Sequence, residues 1–215
     1  MTQPLPPSTR DRILETARRL FHEQGYHATG ISTILREADI NSGSLYHFFQ
    51  NKDDLLLAVL EYYTHLLHPV VMDPVEQASA DGIDRIFILL TNYRDGLASL
   101  DFRMGCPIGN LALEVADDHA EARTLIVTNF ENWAATVRGW LESSKDRLPP
   151  ATDFTSLSRF VLTVMEGGMM QARAARDITP LDQSIDNLRA YFALLASQAE
   201  SNPAAPAGGT PGAPA

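Results

Sequence analysis

The chain has 215 residues, 45% of them hydrophobic and 8% aromatic, with a formal net charge of −10 and one cysteine. That is enough apolar material for one or two globular units with real cores, and it excludes the broad positive field that many nucleic-acid binders carry. A lone cysteine, no hydrophobic run near 20 residues and no secretory signal pattern predict a soluble, cytoplasmic protein without disulfides. The charge is uneven: residues 1–68 hold six Lys/Arg against eight Asp/Glu, and residues 69–215 hold eleven against nineteen.

Residues 1–7, MTQPLPP, read as a disordered lead. Ser8 is a good N-cap for a first helix whose apolar positions are Ile13, Leu14, Ala17, Leu20 and Phe21, and Gly25 ends it. A second helix is predicted from about Gly30 to Glu37, because Ile31, Ile34 and Leu35 recur at spacings of three and four. Thr29 stands before it as the expected N-cap. Ala38-Asp39-Ile40 breaks that helix, with Asp39 as the expected left-handed residue. Asn41 caps a third helix carrying Ser42, Gly43, Ser44, Leu45, Tyr46, His47 and Phe48. Two short helices joined by a tight turn are the helix-turn-helix geometry. The small, polar tip of the third helix lets it approach a DNA groove, where hydroxyls and amides bond phosphates and base edges. Arg10, Arg12 and Lys52 could form a local basic rim.

Lys52-Asp53-Asp54 starts a fourth helix toward His68, and Pro69 and Pro74 bracket a connection over residues 69–80 that loosens or ends it. Further helices are predicted from Asp81 to about Leu100, Pro107 to Ala116, Ala120 to Ser143, Phe154 to Arg176 and Leu181 to Gln198. No strand-period alternation and no repeat is present. The tail from about residue 200, ending SNPAAPAGGTPGAPA, reads as disordered.

The strings ILETARRLFHEQGYHATGISTI, EADINSGSLYHFF and NKDDLLLAVL resemble the DNA-binding domain of the TetR family of bacterial transcriptional repressors. The resemblance implies an all-α fold, with an N-terminal three-helix helix-turn-helix domain (residues 8–68) followed by a helical effector-binding and dimerisation domain (residues 81–199). It implies DNA contacts at Thr29, Asn41, Ser42, Gly43, Ser44, Tyr46, His47 and Lys52. Asp39 stands where the family usually has Gly, Ser42 where Lys, Arg or Pro is frequent, and Leu35 where Ala is frequent. The function implied is a regulator, most often a repressor, released from operator DNA by a small molecule or an electrophile. The alternative is a helical dimeric ligand-binding or interaction module without sequence-specific DNA binding.

The last two helices are the predicted homodimer interface. The penultimate one is apolar around much of its circumference, which suggests a second buried face, and its Gly167-Gly168 pair suggests a close helix approach. Interface candidates are Phe160, Val164, Gly167, Gly168, Leu188, Tyr191, Phe192 and Leu195. The middle helices are expected to enclose a mostly apolar cavity for a small-molecule effector, walled by Phe87, Leu90, Tyr93, Met104, Cys106, Asn110, Phe130, Trp133, Met165 and Met169.

Pro107 fits a first helical position, so Cys106 is the expected N-cap, where the helix dipole and Arg103 could favour a thiolate. GCPIGNLALEVAD is similar to a TetR subgroup that includes the N-ethylmaleimide-responsive repressor, which implies a sensing cysteine at 106. The bland reading, a buried small hydrophobe at a tight turn, stands beside it. No cofactor, metal or membrane motif appears. The six histidines lack HExxH or Cys/His spacing, and no GxSxG, P-loop or GxGxxG follows a strand, so no enzyme is predicted.

Overall fold

The computed structural model describes residues 8–201, so the expected lead and most of the expected tail lie outside the described residues. The chain forms helices α1 (Thr9–Gln24), α2 (Ile31–Glu37), α3 (Ser42–Phe48), α4 (Lys52–Leu66), α5 (Asp73–Ala78), α6 (Gly82–Ser99), α7 (Pro107–Val115), α8 (Ala120–Ser143), α9 (Phe154–Ala175) and α10 (Thr179–Ser201). No strand occurs among the described residues. Local chemistry explains most boundaries. The side chains of Ser8, Asn41, Asn51, Asp81 and Asp153 each accept a backbone N–H at the start of their helices. Gly25 closes α1 with φ 90°.

The expected connection at 69–80 is not a loop. A π-helical turn over Leu67–Met72 carries the chain from α4 into α5. Pro69 sits within that widened turn, and Pro74 falls in the first turn of α5, where its missing N–H is not needed. The result is a helical run of 27 residues, Lys52–Ala78, apolar enough on length and composition to cross a membrane. Here its apolar face packs into the protein: Leu55, Leu56, Val59 and Leu60 enter one core, and Met72 and Val75 another.

Those two cores do not follow the expected domain division. One joins α5, α6, α8, α9 and α10 around Ile86, Leu90, Trp133, Val161 and Met165. The other joins α1 to α4 around Ile13, Phe21, Ile34, Leu45 and Leu56, and also takes Ile108, Leu111 and Val115 from α7 and Ala122 and Ile126 from α8. The helix-turn-helix core is therefore completed by helices from the second half of the chain. Cys106, at the start of α7, packs against both cores.

Candidate nucleic-acid interface and effector site

The reading head is anchored from beneath. Leu45 and Phe49 are buried, while Ser42, Gly43, Tyr46 (51% exposed), His47 and Phe48 face outward. Asn41 Oδ1 accepts the Ser44 N–H at 2.8 Å, so Asn41 acts first as the cap of α3. Asp39 adopts φ 51°, the left-handed conformation that the turn requires. The turn is also tied down by a residue whose role the sequence did not reveal. One Arg12 nitrogen donates to the carbonyls of Ala38 (2.9 Å) and Asp39 (2.8 Å), 26 and 27 residues away. Arg12 is thus committed to the end of α2, and Arg10 lies over the Phe49 ring at 5.4 Å. The expected basic rim of Arg10, Arg12 and Lys52 is correspondingly thinner.

Thr29 is neither a cap nor a DNA contact. Gly30 is the N-cap of α2, with no side-chain bond. Thr29 is fully buried; its hydroxyl donates to Gly25 O at 2.6 Å and accepts from Gln24 Nε2 at 3.1 Å. It staples the α1–α2 turn from inside. Lys52 Nζ lies 4.0 Å from the Tyr26 ring centroid, and partial burial lowers its pKa. The Tyr26 hydroxyl donates to Asp53.

A second group of contacts links this head to α7. Glu114 receives the backbone N–H of Tyr26 at 2.8 Å and of His27 at 2.5 Å. At the opposite end of α7, the His22 ring bonds Gly105 O at 2.7 Å, which fixes His22 Nε2 as donor. Burial lowers the His22 pKa and keeps it neutral. α7 is therefore fastened to α1 and to the α1–α2 turn at both of its ends.

The effector residues divide. Phe87, Leu90, Trp133, Met165 and Met169 are buried together in one core, with Phe87 and Phe192 edge-to-face at 5.6 Å. They are packed side chains rather than walls of the expected open cavity. Phe130 packs against the other core. Asn110 is bound by Arg173 at 2.8 Å, and Met104 is half-buried beside Cys106 in the chain. Cys106 lies at the seam of the two cores, whereas Tyr93 packs against the first core, where its Oη accepts the Trp133 indole N–H at 3.3 Å. A cleft of about 440 Å³ opens nearby between Glu23, Phe102, Arg103, Arg173 and Arg176.

Cys106 caps α7 as expected, its sulfur accepting the Gly109 N–H at 3.4 Å. Its acidity runs the other way. Burial first, then the neighbouring Glu166 carboxylate, push the thiol well above the ordinary cysteine range, and the cap bonds only partly oppose them. Arg103 does not help: it points to Asp101 at 3.8 Å and is 74% exposed. Glu166, beside Cys106 and Gly109, is a buried carboxylate that the sequence did not single out. A single Glu in the apolar run VMEGGMM was the available signal.

The dimer candidates divide as well. Phe160 (44% exposed) and Tyr191 (41%) stack edge-to-face at 5.7 Å on one outward face with Leu194. Val164 and Gly167 are half-buried, and nothing crowds Gly167. Leu188 and Phe192 are instead buried in this chain's own core, and Leu195 packs against it. A Cβ on Gly168 would stand 2.7 Å from Leu181 Cδ1, so the close approach there is between α9 and α10 of the same chain.

The family described as "Bacterial regulatory proteins, tetR family" matches residues 13–59, and "Transcriptional regulator LmrA/YxaF-like, C-terminal domain" matches residues 83–187. The uncharacterized HTH-type transcriptional regulator YxaF of Bacillus subtilis is 31% identical over 175 residues, covering 80% of this chain and 89% of its own. The HTH-type transcriptional repressor DhaR of Mycobacterium sp. is 26% identical over 192 residues, covering 87% and 93%. The transcriptional repressor NemR of Escherichia coli is 22% identical over 190 residues, covering 87% and 96%. The crystal structure of its reduced form shares the fold at a TM-score of 0.76 over 87% of this chain and 97% of that one. The capped helix-turn-helix, the all-helical second half and these matches over both halves place the chain in the TetR family of bacterial transcriptional regulators.

Proposed function

We propose that the chain is a cytoplasmic, homodimeric repressor that catalyses no reaction, reads operator DNA with α3, and lets go when a small molecule binds at the seam around Cys106. The observation that carries the DNA half is a recognition helix pinned at both ends by Asn41 and Phe49, with Ser42, Gly43, Tyr46 and His47 left facing outward. Two relatives bear the name repressor. With a balance of −2 over residues 1–68, each protomer offers few phosphate contacts. Useful affinity then depends on two heads held by one dimer. The outward face of Phe160, Tyr191 and Leu194 supports that dimer, which would set half-sites about one helical turn or slightly more apart.

Release follows from α7, whose N-cap is at the seam and whose Glu114 grips the α1–α2 turn. A ligand that binds the DNA-incompetent arrangement more tightly shifts the population toward it. The raised thiol pKa favours a non-covalent effector over thiol modification. Duplexes selected from a random pool, followed by footprinting, test the reading. A two-fold symmetric footprint holding two protomers supports it; failure to enrich any common sequence rejects it.

A further inference from the structure

The cleft of about 440 Å³ lies where the end of α1 meets the α6–α7 connection and the end of α9, and Glu23, Phe102, Arg103, Arg173 and Arg176 line it. Three guanidiniums converge there in a chain whose net charge is −10. Their charges are unequally met. Arg103 and Arg176 stand 3.8 Å and 4.0 Å from the same Asp101 carboxylate, and Glu23 is held at 3.0 Å by Arg19, which does not line the cleft. Arg173 pairs with no carboxylate among the described residues; its Nη1 donates to the neutral amide oxygen of Asn110 at 2.8 Å. A guanidinium carries several N–H donors, so most of the Arg173 fork is left over. Taking the lining groups with Asp101, three cations face two carboxylates, an excess of one positive charge. The backbone is unusual here too. Of the four non-glycine residues with positive φ among the described residues, Asp101 (52°), Phe102 (56°) and Arg176 (52°) sit at this cleft. Such conformations are sparsely populated and persist where the surroundings over-determine them, ligand clamps included. Here they place Phe102 and Arg176 on the wall.

We propose that this cleft binds a small aromatic monocarboxylate, with its carboxylate on the Arg173 and Arg176 guanidiniums, Arg103 at the mouth and its ring against Phe102. A planar carboxylate accepts two parallel N–H bonds from a guanidinium fork. One negative charge matches the one excess positive charge. A phosphate monoester, at about −1.5 to −2, would bring surplus charge against Glu23 and Asp101. An organic cation would face three guanidiniums, and a neutral amide would leave the excess charge unmet. Phe102 gives the apolar body of the ligand an aromatic surface to lie on. Arg173 also ties the cleft to α7. A Cβ on Gly105 would stand 3.5 Å from Arg173 Cδ, and Asn110, its partner, is on α7. A ligand seated there touches α1, the segment leading into α7, and α9 together. Its regulatory meaning rests on the effector reading above, whereas binding itself is measured without DNA.

The test is calorimetric titration of the full-length protein with 3-phenylpropionate, with 3-phenylpropanamide as its neutral counterpart and inorganic phosphate as a bare anion. The carboxylate is expected to bind at least about tenfold more tightly than the amide, and Arg173→Met to erase that preference. Arg173→Lys, which keeps the charge but loses the fork, should recover only part of the affinity. Arg176 is exposed, so Arg176→Gln should fold; it should weaken the carboxylate about threefold and decides the matter if Arg173→Met does not fold. Glu23→Gln removes the lining carboxylate and should tighten binding about twofold. Four results overturn the proposal: amide affinity equal to that of the carboxylate, wild-type carboxylate affinity in folded Arg173→Met or in Arg176→Gln, phosphate bound as tightly as the carboxylate, or no binding of the carboxylate at millimolar concentration. A protein that binds the carboxylate but no DNA keeps the site and sinks the regulator reading; one that binds DNA but no carboxylate does the reverse.

Discussion

Glu114 accepts the backbone N–H of Tyr26 at 2.8 Å, and this bond joins α7 to the turn that leads into the helix-turn-helix. The same carboxylate takes the His27 N–H, so removing it leaves two donors without their acceptor. Glu114→Ala should lower stability by about 1–3 kcal/mol, read as a fall of several degrees in the melting temperature. If α7 carries the signal, the variant keeps DNA binding and loses its response to an effector. A variant that melts and responds like wild type would show that the bond couples nothing.

The Tyr46 side chain is exposed and contributes little to the core. Tyr46→Ala should therefore weaken operator binding at least about tenfold while leaving the melting temperature and the dimer unchanged. Lys52→Ala should flatten the salt dependence by about one phosphate contact. It also loses a ring contact to Tyr26, worth about 0.5–1 kcal/mol. Binding isotherms at several salt concentrations separate the two effects.

Arg12 closes the end of α2 with two carbonyl bonds from one guanidinium nitrogen. Arg12→Ala should cost about 1.5–3 kcal/mol by denaturant titration. Arg12→Lys should recover only part of it, because a single ammonium on a flexible stem is poorly placed to span both carbonyls.

Phe160 and Tyr191 present apolar surface that the monomer does not bury. Phe160→Glu should give a folded monomer in sedimentation velocity and a matching loss of operator affinity. An intact dimer would move the interface to another face.

The Cys106 thiol gives a pH dependence of known sign. Its folded pKa lies above the unfolded value. Below the ordinary cysteine range the thiol is protonated in both states, and full stability is present. As pH climbs past that range the unfolded chain ionises first, so stability falls until the raised folded pKa is passed. Cys106→Ala should remove this part of the alkaline loss, and maleimide should react with the native thiol far more slowly than with the unfolded one.

What was legible in the sequence was local. Ser8, Asn41 and Cys106 as caps, Asp39 as the left-handed residue and the bounds of α8 all depend on neighbours within a few positions. What was hidden depends on distant partners. Arg12 meets Ala38, Glu114 meets Tyr26 and Glu166 meets Gly109 across separations that no periodicity encodes. Thr29 was misread because it has the chemistry of a cap, but it faces inward to Gly25 O. Leu188 and Phe192 were misread because an apolar helix face can be buried by its own chain as readily as by a partner.

The most direct test of α3 as the reading head is fluorescence anisotropy with a selected duplex, comparing wild type and Tyr46→Ala on that duplex and on a scrambled one. Wild type should bind the selected duplex selectively with two protomers per duplex, and Tyr46→Ala should be folded and dimeric but unselective. Equal affinity of the wild-type protein for both duplexes, or undiminished selectivity in Tyr46→Ala, would contradict it.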